Sequence, residues 1–322
     1  MMPLDHYISQ VHLKNFYSPA LGARMYAIRK ADLGRFTPDA KSVCRISDGS
    51  TNAYLRGGRA IEEFLKTIEP RYNAALGKLI AKQVDHECIY TIAGFVAFVT
   101  TCSPAGLRIQ SGPLKNLVEC RAAMLDAQGL MPPPPATLDG ANLTQLLRRG
   151  AVEITIDPKF PQAIGINSIL EMTSTFGNFK WEILFNNIED SPFFTSDFPV
   201  AIENTTVPDI INRIVPLAPN LAVRIRPNRE INKHDRADPT FANFRCRFRK
   251  VCRRELVKLN CLIVRCAEDT VFYRDDHPWV QTFIAKNRYY LIEPRTHEIT
   301  SHTGTHLVST QRVVANIPPV EP

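Results

Sequence analysis

From Arg59 to Lys82 the apolar residues Ile61, Phe64, Leu65, Ile68, Tyr72, Ala75, Leu76 and Leu79 recur at steps of three and four, the period of a helix with one buried face. Pro70 falls inside this run and should kink or divide it. A second helix is expected from Asp85 to about Thr101, apolar around its circumference and so central in a helical layer, with Pro104 ending it. A third spans Leu114 to Gln128, followed by a stiff proline connector at 129–136. Downstream the period changes. Trp181, Ile183 and Phe185 alternate with Glu182, Leu184 and Asn186, and a second apolar run, Phe193 to Ile202, is broken only by Ser196-Asp197 and Pro199. Paired strands are expected on either side of the polar corner 186–190. Pro199 has no N–H for a ladder and turns Phe198 away from helical geometry, which places Ser196 and Asp197 at a strand end.

The flanks are read in the same way. Asp5 to Phe16 has the look of a short helix capped by Asp5, with His6 and Gln10 one turn apart on a stripe that Leu13 continues, and His12 pointing elsewhere. Arg24–Lys30 reads as a strand that the turn at 31–35 returns into a second one near 36–45. Val152–Ile156 reads as a short strand, 161–175 as a helix, and 213–217 with 221–226 as a hairpin over Pro219-Asn220. A long helix is expected from about 249 to 273, with Leu256, Leu259, Ile263, Ala267 and Val271 on one face and Asn260 among them. A last strand lies at Tyr289–Ile292, and 301–322 reads as a polar, fraying tail. Strand pairs close in sequence and helices in blocks predict an α+β fold: one domain over 1–300, with an antiparallel sheet packed against a layer of helices.

Composition narrows the class. A chain of 322 residues with 44% hydrophobic content can bury a sizeable core. Its net charge of +7 is compatible with an anionic partner. Eight cysteines without a CxxC pair, and no secretory leader ahead of them, point to reduced thiols and a cytoplasmic protein. The most apolar segment, Cys88 to Cys102, falls short of the ~20 residues of a membrane span, so no membrane partner is expected. There is no Walker loop, GxSxG elbow or GxGxxG turn, and no cofactor is expected. His297, His302 and His306 have metal-like spacing, but Gly304 and their place in the tail argue for a flexible segment, so no metal is assigned. Nothing in the pattern specifies an oligomeric state.

Two features carry candidate chemistry. The first is a polar centre of His6, Glu69, Asp197 and Asn260, each placed beside or within an apolar run where an unpartnered polar group costs ~1–3 kcal/mol. Bland readings stand beside it: Asp197 as a local turn carboxylate, Asn260 as a bridge to a loop carbonyl, His6 as a satisfied histidine. The second is the stretch 244–254, which interleaves Arg245, Arg247, Arg249, Lys250, Arg253 and Arg254 with Phe244 and Phe248. Such a stretch can neutralise phosphates while aromatics stack on bases, or it can be a solvated helix start. Two functional classes follow. One is a metal-independent hydrolase or nuclease with His6 as general acid or base, Asp197 or Glu69 orienting it, Asn260 in the same catalytic set, and Gln10 and the arginines binding a polyanion. The other is a non-enzymatic nucleic-acid-binding protein that uses the same arginines. Convergence of the four polar residues in one open cleft separates the two.

The order of these pieces also resembles the domain of unknown function 4238 family. The residues that carry the resemblance are His6 to Phe16, the Arg24–Arg45 hairpin, Ile68-Glu69, Trp181 with Thr195 to Val200, Pro216 to Pro219, and Asn260. The resemblance covers nearly the whole chain. It implies an intracellular α+β domain with a shared polar set, and no established reaction.

Overall fold

The computed structural model describes residues 4–316 except 58, 135, 136, 138, 208, 209, 302 and 303. Its first segment is not the helix that a cap at Asp5 implies. β1 (Leu4–His6) pairs antiparallel with Arg45–Ser47, and only then comes α1 (Gln10–Lys14). The Asp5 carboxylate accepts from the Ser50 N–H at 3.0 Å, which ties β1 to the turn beyond its partner and leaves Ser9 to head the helix. β2 (Tyr26–Arg29) and β3 (Arg35–Phe36) form the expected hairpin, but its return strand is short, and Arg45–Ser47 is a separate strand, β4.

Pro70 divides the first amphipathic run as expected. α2 (Ala60–Ile68) and α3 (Tyr72–Ile80) are joined by a 3-10 turn at Glu69–Arg71. α4 (His86–Cys102) begins where Asp85 accepts from the Cys88 N–H, and it is buried on nearly every side. Pro104 does more than end that helix. It is the first residue of α5 (Pro104–Ala127), which starts well before the expected Leu114 and runs through Pro113. Pro104 is tolerated at the first position because its missing N–H would have no intrahelical partner, while the Ser103 hydroxyl accepts from Gly106 and donates to Val99 O. A side chain at Gly106 would strike the Thr100 carbonyl, so glycine is what lets α4 and α5 meet at 65°. Of the proline connector, residues 135 and 136 lie outside the described residues. α6 (Leu143–Arg148), α7 (Lys159–Asn167) and α8 (Ile169–Gly177) follow, and Val152–Ile156 is irregular where a strand was expected.

The remaining elements are β5 (Lys180–Phe185), β6 (Thr195–Ser196), β7 (Ala201–Asn204), β8 (Ile211–Ala218), β9 (Leu221–Arg226), α9 (Lys233–Arg236), β10 (Arg245–Lys250), α10 (Arg253–Cys266), β11 (Thr270–Tyr273), α11 (Val280–Asn287), β12 (Tyr290–Ser301) and β13 (Gly304–Ala315). They make a five-stranded sheet in the order β10-β5-β9-β8-β7, a four-stranded sheet in the order β3-β2-β11-β6, and a β12-β13 ribbon. The fold is α+β. Three expectations are corrected. The apolar runs around the 186–190 corner do not pair with each other, because β5 and β6 belong to different sheets. Asn186 redirects the chain: its Nδ2 donates to Ser191 O at 2.8 Å while its Oδ1 accepts from Ile188 N at 2.9 Å. The run 249–273 is strand, helix and strand, and β10 lies parallel to β5, so that sheet is mixed rather than antiparallel. Where a frayed tail was expected, 304–315 pairs along its length with β12. One buried cluster joins Phe95 and Val99 of α4, Trp181 and Ile183 of β5, and Leu259 and Ile263 of α10. Among the described residues no single helix is long and apolar enough to cross a membrane.

Candidate functional site

Three consecutive side chains, Thr195 and Ser196 of β6 and Asp197 directly after it, are each committed to a different part of the fold. Thr195 meets His12 of α1, with Oγ1 2.8 Å from Nε2, and the other ring nitrogen of His12 lies 2.8 Å from the Tyr72 hydroxyl. The imidazole is fully buried and stacked on Phe95 at 4.8 Å, and burial lowers its pKa to about 3, so it is neutral at pH 7. Two hydroxyls suit a neutral ring, since each can donate or accept as the tautomer requires. The Ser196 hydroxyl accepts from the Phe198 N–H at 3.1 Å, a local turn. Asp197, only 5% exposed, accepts from the N–H groups of Glu268, Asp269 and Thr270 at 2.9, 2.7 and 3.0 Å. Those three donors are the turn between α10 and β11, so a carboxylate far upstream in sequence stops the helix and starts the strand. Burial pushes the Asp197 pKa up to about 6 against the pull of the three N–H groups. On the other side of the same turn, the buried Lys30 ammonium donates to Ala267 O at 2.5 Å and Tyr290 O at 2.8 Å.

The four residues of the expected polar centre do not form one set. Asn260 spans the segment before β6, with Nδ2 donating to Pro192 O at 2.8 Å and Oδ1 accepting from Phe194 N at 3.2 Å. Glu69 accepts from the Ser9 hydroxyl at 2.6 Å. His6, on a strand rather than a helix, lies 3.3 Å from Lys41 O and 3.5 Å from the Gln10 side-chain amide. Among the described residues no direct hydrogen bond or ion pair joins any two of His6, Glu69, Asp197 and Asn260. The buried histidine is His12, which was expected to point away. Its neighbours Leu13 and Phe16 are the available signal, because all three are buried once the helix begins at Gln10. His302 of the spaced histidines lies outside the described residues, and among the described residues no group of three or more metal-ligating side chains is placed to hold an ion.

The basic stretch is an edge strand over Arg245–Lys250 and becomes a helix start only at Arg253 and Arg254, the first residues of α10. β10 borders the five-stranded sheet with β5 on one side only. Strand alternation divides its side chains between two faces. Phe244 packs edge-on against Trp181 at 5.2 Å and Phe248 stacks on Phe185 at 6.4 Å, so both aromatics are used in packing. Arg247 and Arg249 face the other way, toward the Glu182 carboxylate, whose side chain is 3% exposed. Glu182 also accepts from Arg224 at 2.8 Å and Arg226 at 2.9 Å, and Glu255 takes Arg249 and Arg224. Burial alone would raise the Glu182 carboxyl, but Arg224, Arg247 and Arg226 outweigh it and hold the pKa at about 2. Arg253 forms a forked pair with Asp190 at 2.8 and 3.1 Å. Among the described residues the Arg245 side chain is bonded only to the carbonyls of Ala242 and Phe244, and the Arg254 side chain has no partner. Beside the strand is a shallow pocket of about 270 Å³ lined by Lys180, Trp181, Glu182, Arg226, Arg245, Cys246 and Arg247, four cations against one buried carboxylate.

A family model described as "Protein of unknown function (DUF4238)" matches residues 5–277, so the match ends before α11 and the β12-β13 ribbon. No curated protein and no solved structure matches the chain.

Proposed function

The chain belongs to the DUF4238 family, which brings no reaction with it, and we propose that the protein is a non-enzymatic nucleic-acid-binding protein whose phosphate-contacting surface is the β10 edge. The observation that carries this reading is the excess of cations over carboxylates along an exposed strand: Arg226, Arg245 and Arg247 line one pocket with Glu182, Lys180 at its edge is taken by Glu230 at 2.6 Å, and Arg245 and Arg254 have no carboxylate partner among the described residues. Guanidinium groups suit phosphate oxygens because they offer paired N–H donors, and each neutralised phosphate releases a counterion. Hydrolysis or nuclease action by His6, Glu69, Asp197 and Asn260 is less well supported, since Asp197 and Asn260 spend their hydrogen-bonding capacity on backbone groups. The eight cysteines are all free, which supports a reducing, cytoplasmic setting.

The test is a fluorescence-anisotropy titration of a labelled polynucleotide at several salt concentrations. Wild type should bind at low salt with an affinity that falls as salt rises. The double variant Arg245→Glu/Arg254→Glu, chosen because neither side chain is paired with a carboxylate, should lose that binding. Equal binding by the variant, or a salt-independent affinity, would contradict the reading.

A further inference from the structure

Where β10 gives way to α10 there is a second, apolar pocket of about 220 Å³. Its walls are Trp279 and Phe283, with Leu256 and Val257 of α10, and its mouth carries Arg253 and Asp190. The aromatic wall is held in place by packing: the indole stacks on Phe194 at 5.6 Å and on His277 at 6.1 Å, meets Phe283 edge-on at 5.7 Å, and donates its N–H to Asp190 O at 3.1 Å. Val257, 44% exposed, leaves the mouth open to solvent. The forked Arg253–Asp190 pair at the rim, where Arg253 also donates to Ser191 Oγ at 3.1 Å, is exposed, with side chains at 58% and 61%, so it can exchange partners at small cost.

An aromatic slot with one cation and one carboxylate at its mouth matches a flat heteroaromatic ring bearing both N–H donors and a neighbouring phosphate. The slot also continues the cationic edge. The three residues from Lys250 to Arg253 span at most about 11 Å, so a chain of phosphates along β10 is brought to its mouth. We infer that the Trp279–Phe283 pocket accepts an unpaired nucleobase, which makes single-stranded nucleic acid the ligand class of the β10 edge. This rests on the nucleic-acid reading above. A base paired inside a duplex is stacked and cannot enter; a base on a single strand lies against the wall that Trp279 and Phe283 make together and turns its exocyclic groups to Asp190. Arg253 is then free to hold the adjoining phosphate.

The experiment compares three probes of equal length and phosphate number: a single-stranded oligonucleotide, its duplex, and an abasic strand with the same backbone. Wild type should bind the base-bearing single strand about tenfold or more tightly than the abasic strand, the size expected for stacking one base on an aromatic wall. Two variants act on the pocket. Trp279→Ala removes a wall, and Val257→Met narrows the mouth from an exposed position that leaves the core intact. Each folded variant should keep its affinity for the abasic strand while losing the preference for bases. Equal wild-type affinity for the base-bearing and abasic strands, or a preference that survives in both variants, overturns the pocket and leaves phosphate binding standing. Binding of no probe at low salt overturns the nucleic-acid reading and the pocket together.

Discussion

Asp197 and Glu182 are both buried carboxylates, and their acidities move in opposite directions. Asp197 is held by three backbone N–H groups and its pKa is pushed up to about 6. Glu182 lies among Arg224, Arg226, Arg247 and Arg249 and its pKa is held at about 2. Burial opposes ionisation at both, so the partner decides: neutral dipoles offset part of the desolvation, and full positive charges reverse it. The difference sorts the two regions by role. At Asp197 every donor and acceptor faces inward and is satisfied by the fold. At Glu182 the carboxylate anchors a surface that still has cations to spare.

Removing the anchor should have the largest effect. Glu182→Gln removes the carboxylate shared by Arg224, Arg226, Arg247 and Arg249 and leaves Arg224, 12% exposed, with Glu203 and Glu255 alone, and a loss of ~3–5 kcal/mol in a denaturant titration is expected. A loss below ~1 kcal/mol would show that solvent screens the cluster and that the contrast with Asp197 is overstated. Next comes His12→Phe, which keeps the ring packed on Phe95 and strands the hydroxyls of Tyr72 and Thr195, for an expected loss of ~2–4 kcal/mol. A neutral or stabilising result would mean that those hydroxyls find other partners.

Asp197→Asn should cost ~1–3 kcal/mol, because an amide offers one acceptor oxygen where the turn presents three N–H groups. It also has a pH signature. A carboxyl whose folded pKa is raised from 3.8 to about 6 binds its proton more tightly in the folded state. Its contribution is full below the unfolded value of 3.8 and is lost as pH rises through about 6. The stability gap between wild type and Asp197→Asn should therefore widen on acidification across that window. A gap that is flat or narrows between those values would place the carboxylate in a more polar setting than its burial implies.

The fold and the candidate site were legible in the sequence to different degrees. Periodicity located α2, α3 and α4, Pro70 marked their division, and Pro219-Asn220 marked the β8-β9 hairpin, because each of these is set by residues within one or two turns of itself. The helix expected over 249–273 failed for a non-local reason. Leu259, Ile263, Ala267 and Val271 keep a helical step, but the N–H groups of 268–270 are claimed by Asp197, which the local pattern cannot register. The basic stretch carried a period of two, Arg245, Arg247 and Arg249 against Phe244, Cys246 and Phe248, which is strand alternation. Its neutralising partner, Glu182, is distant in sequence and faces it only once β5 and β10 pair. Asp197 and Asn260 were legible as buried polar groups in need of partners, while the identity of those partners depended on the tertiary fold.

The smallest expected effect on stability belongs to the surface that the account makes functional. Arg245→Glu/Arg254→Glu should change unfolding free energy by no more than ~0.5 kcal/mol, since neither side chain is paired with a carboxylate. The most direct test sets the two regions against each other in one oligonucleotide titration at low salt, with Asp197→Asn held well below its melting temperature beside the Arg245→Glu/Arg254→Glu protein. The account predicts that the Asp197 variant binds as wild type does and that the double variant does not. Loss of binding in folded Asp197→Asn, with binding retained in the double variant, would contradict it and move the functional centre back to the buried carboxylate.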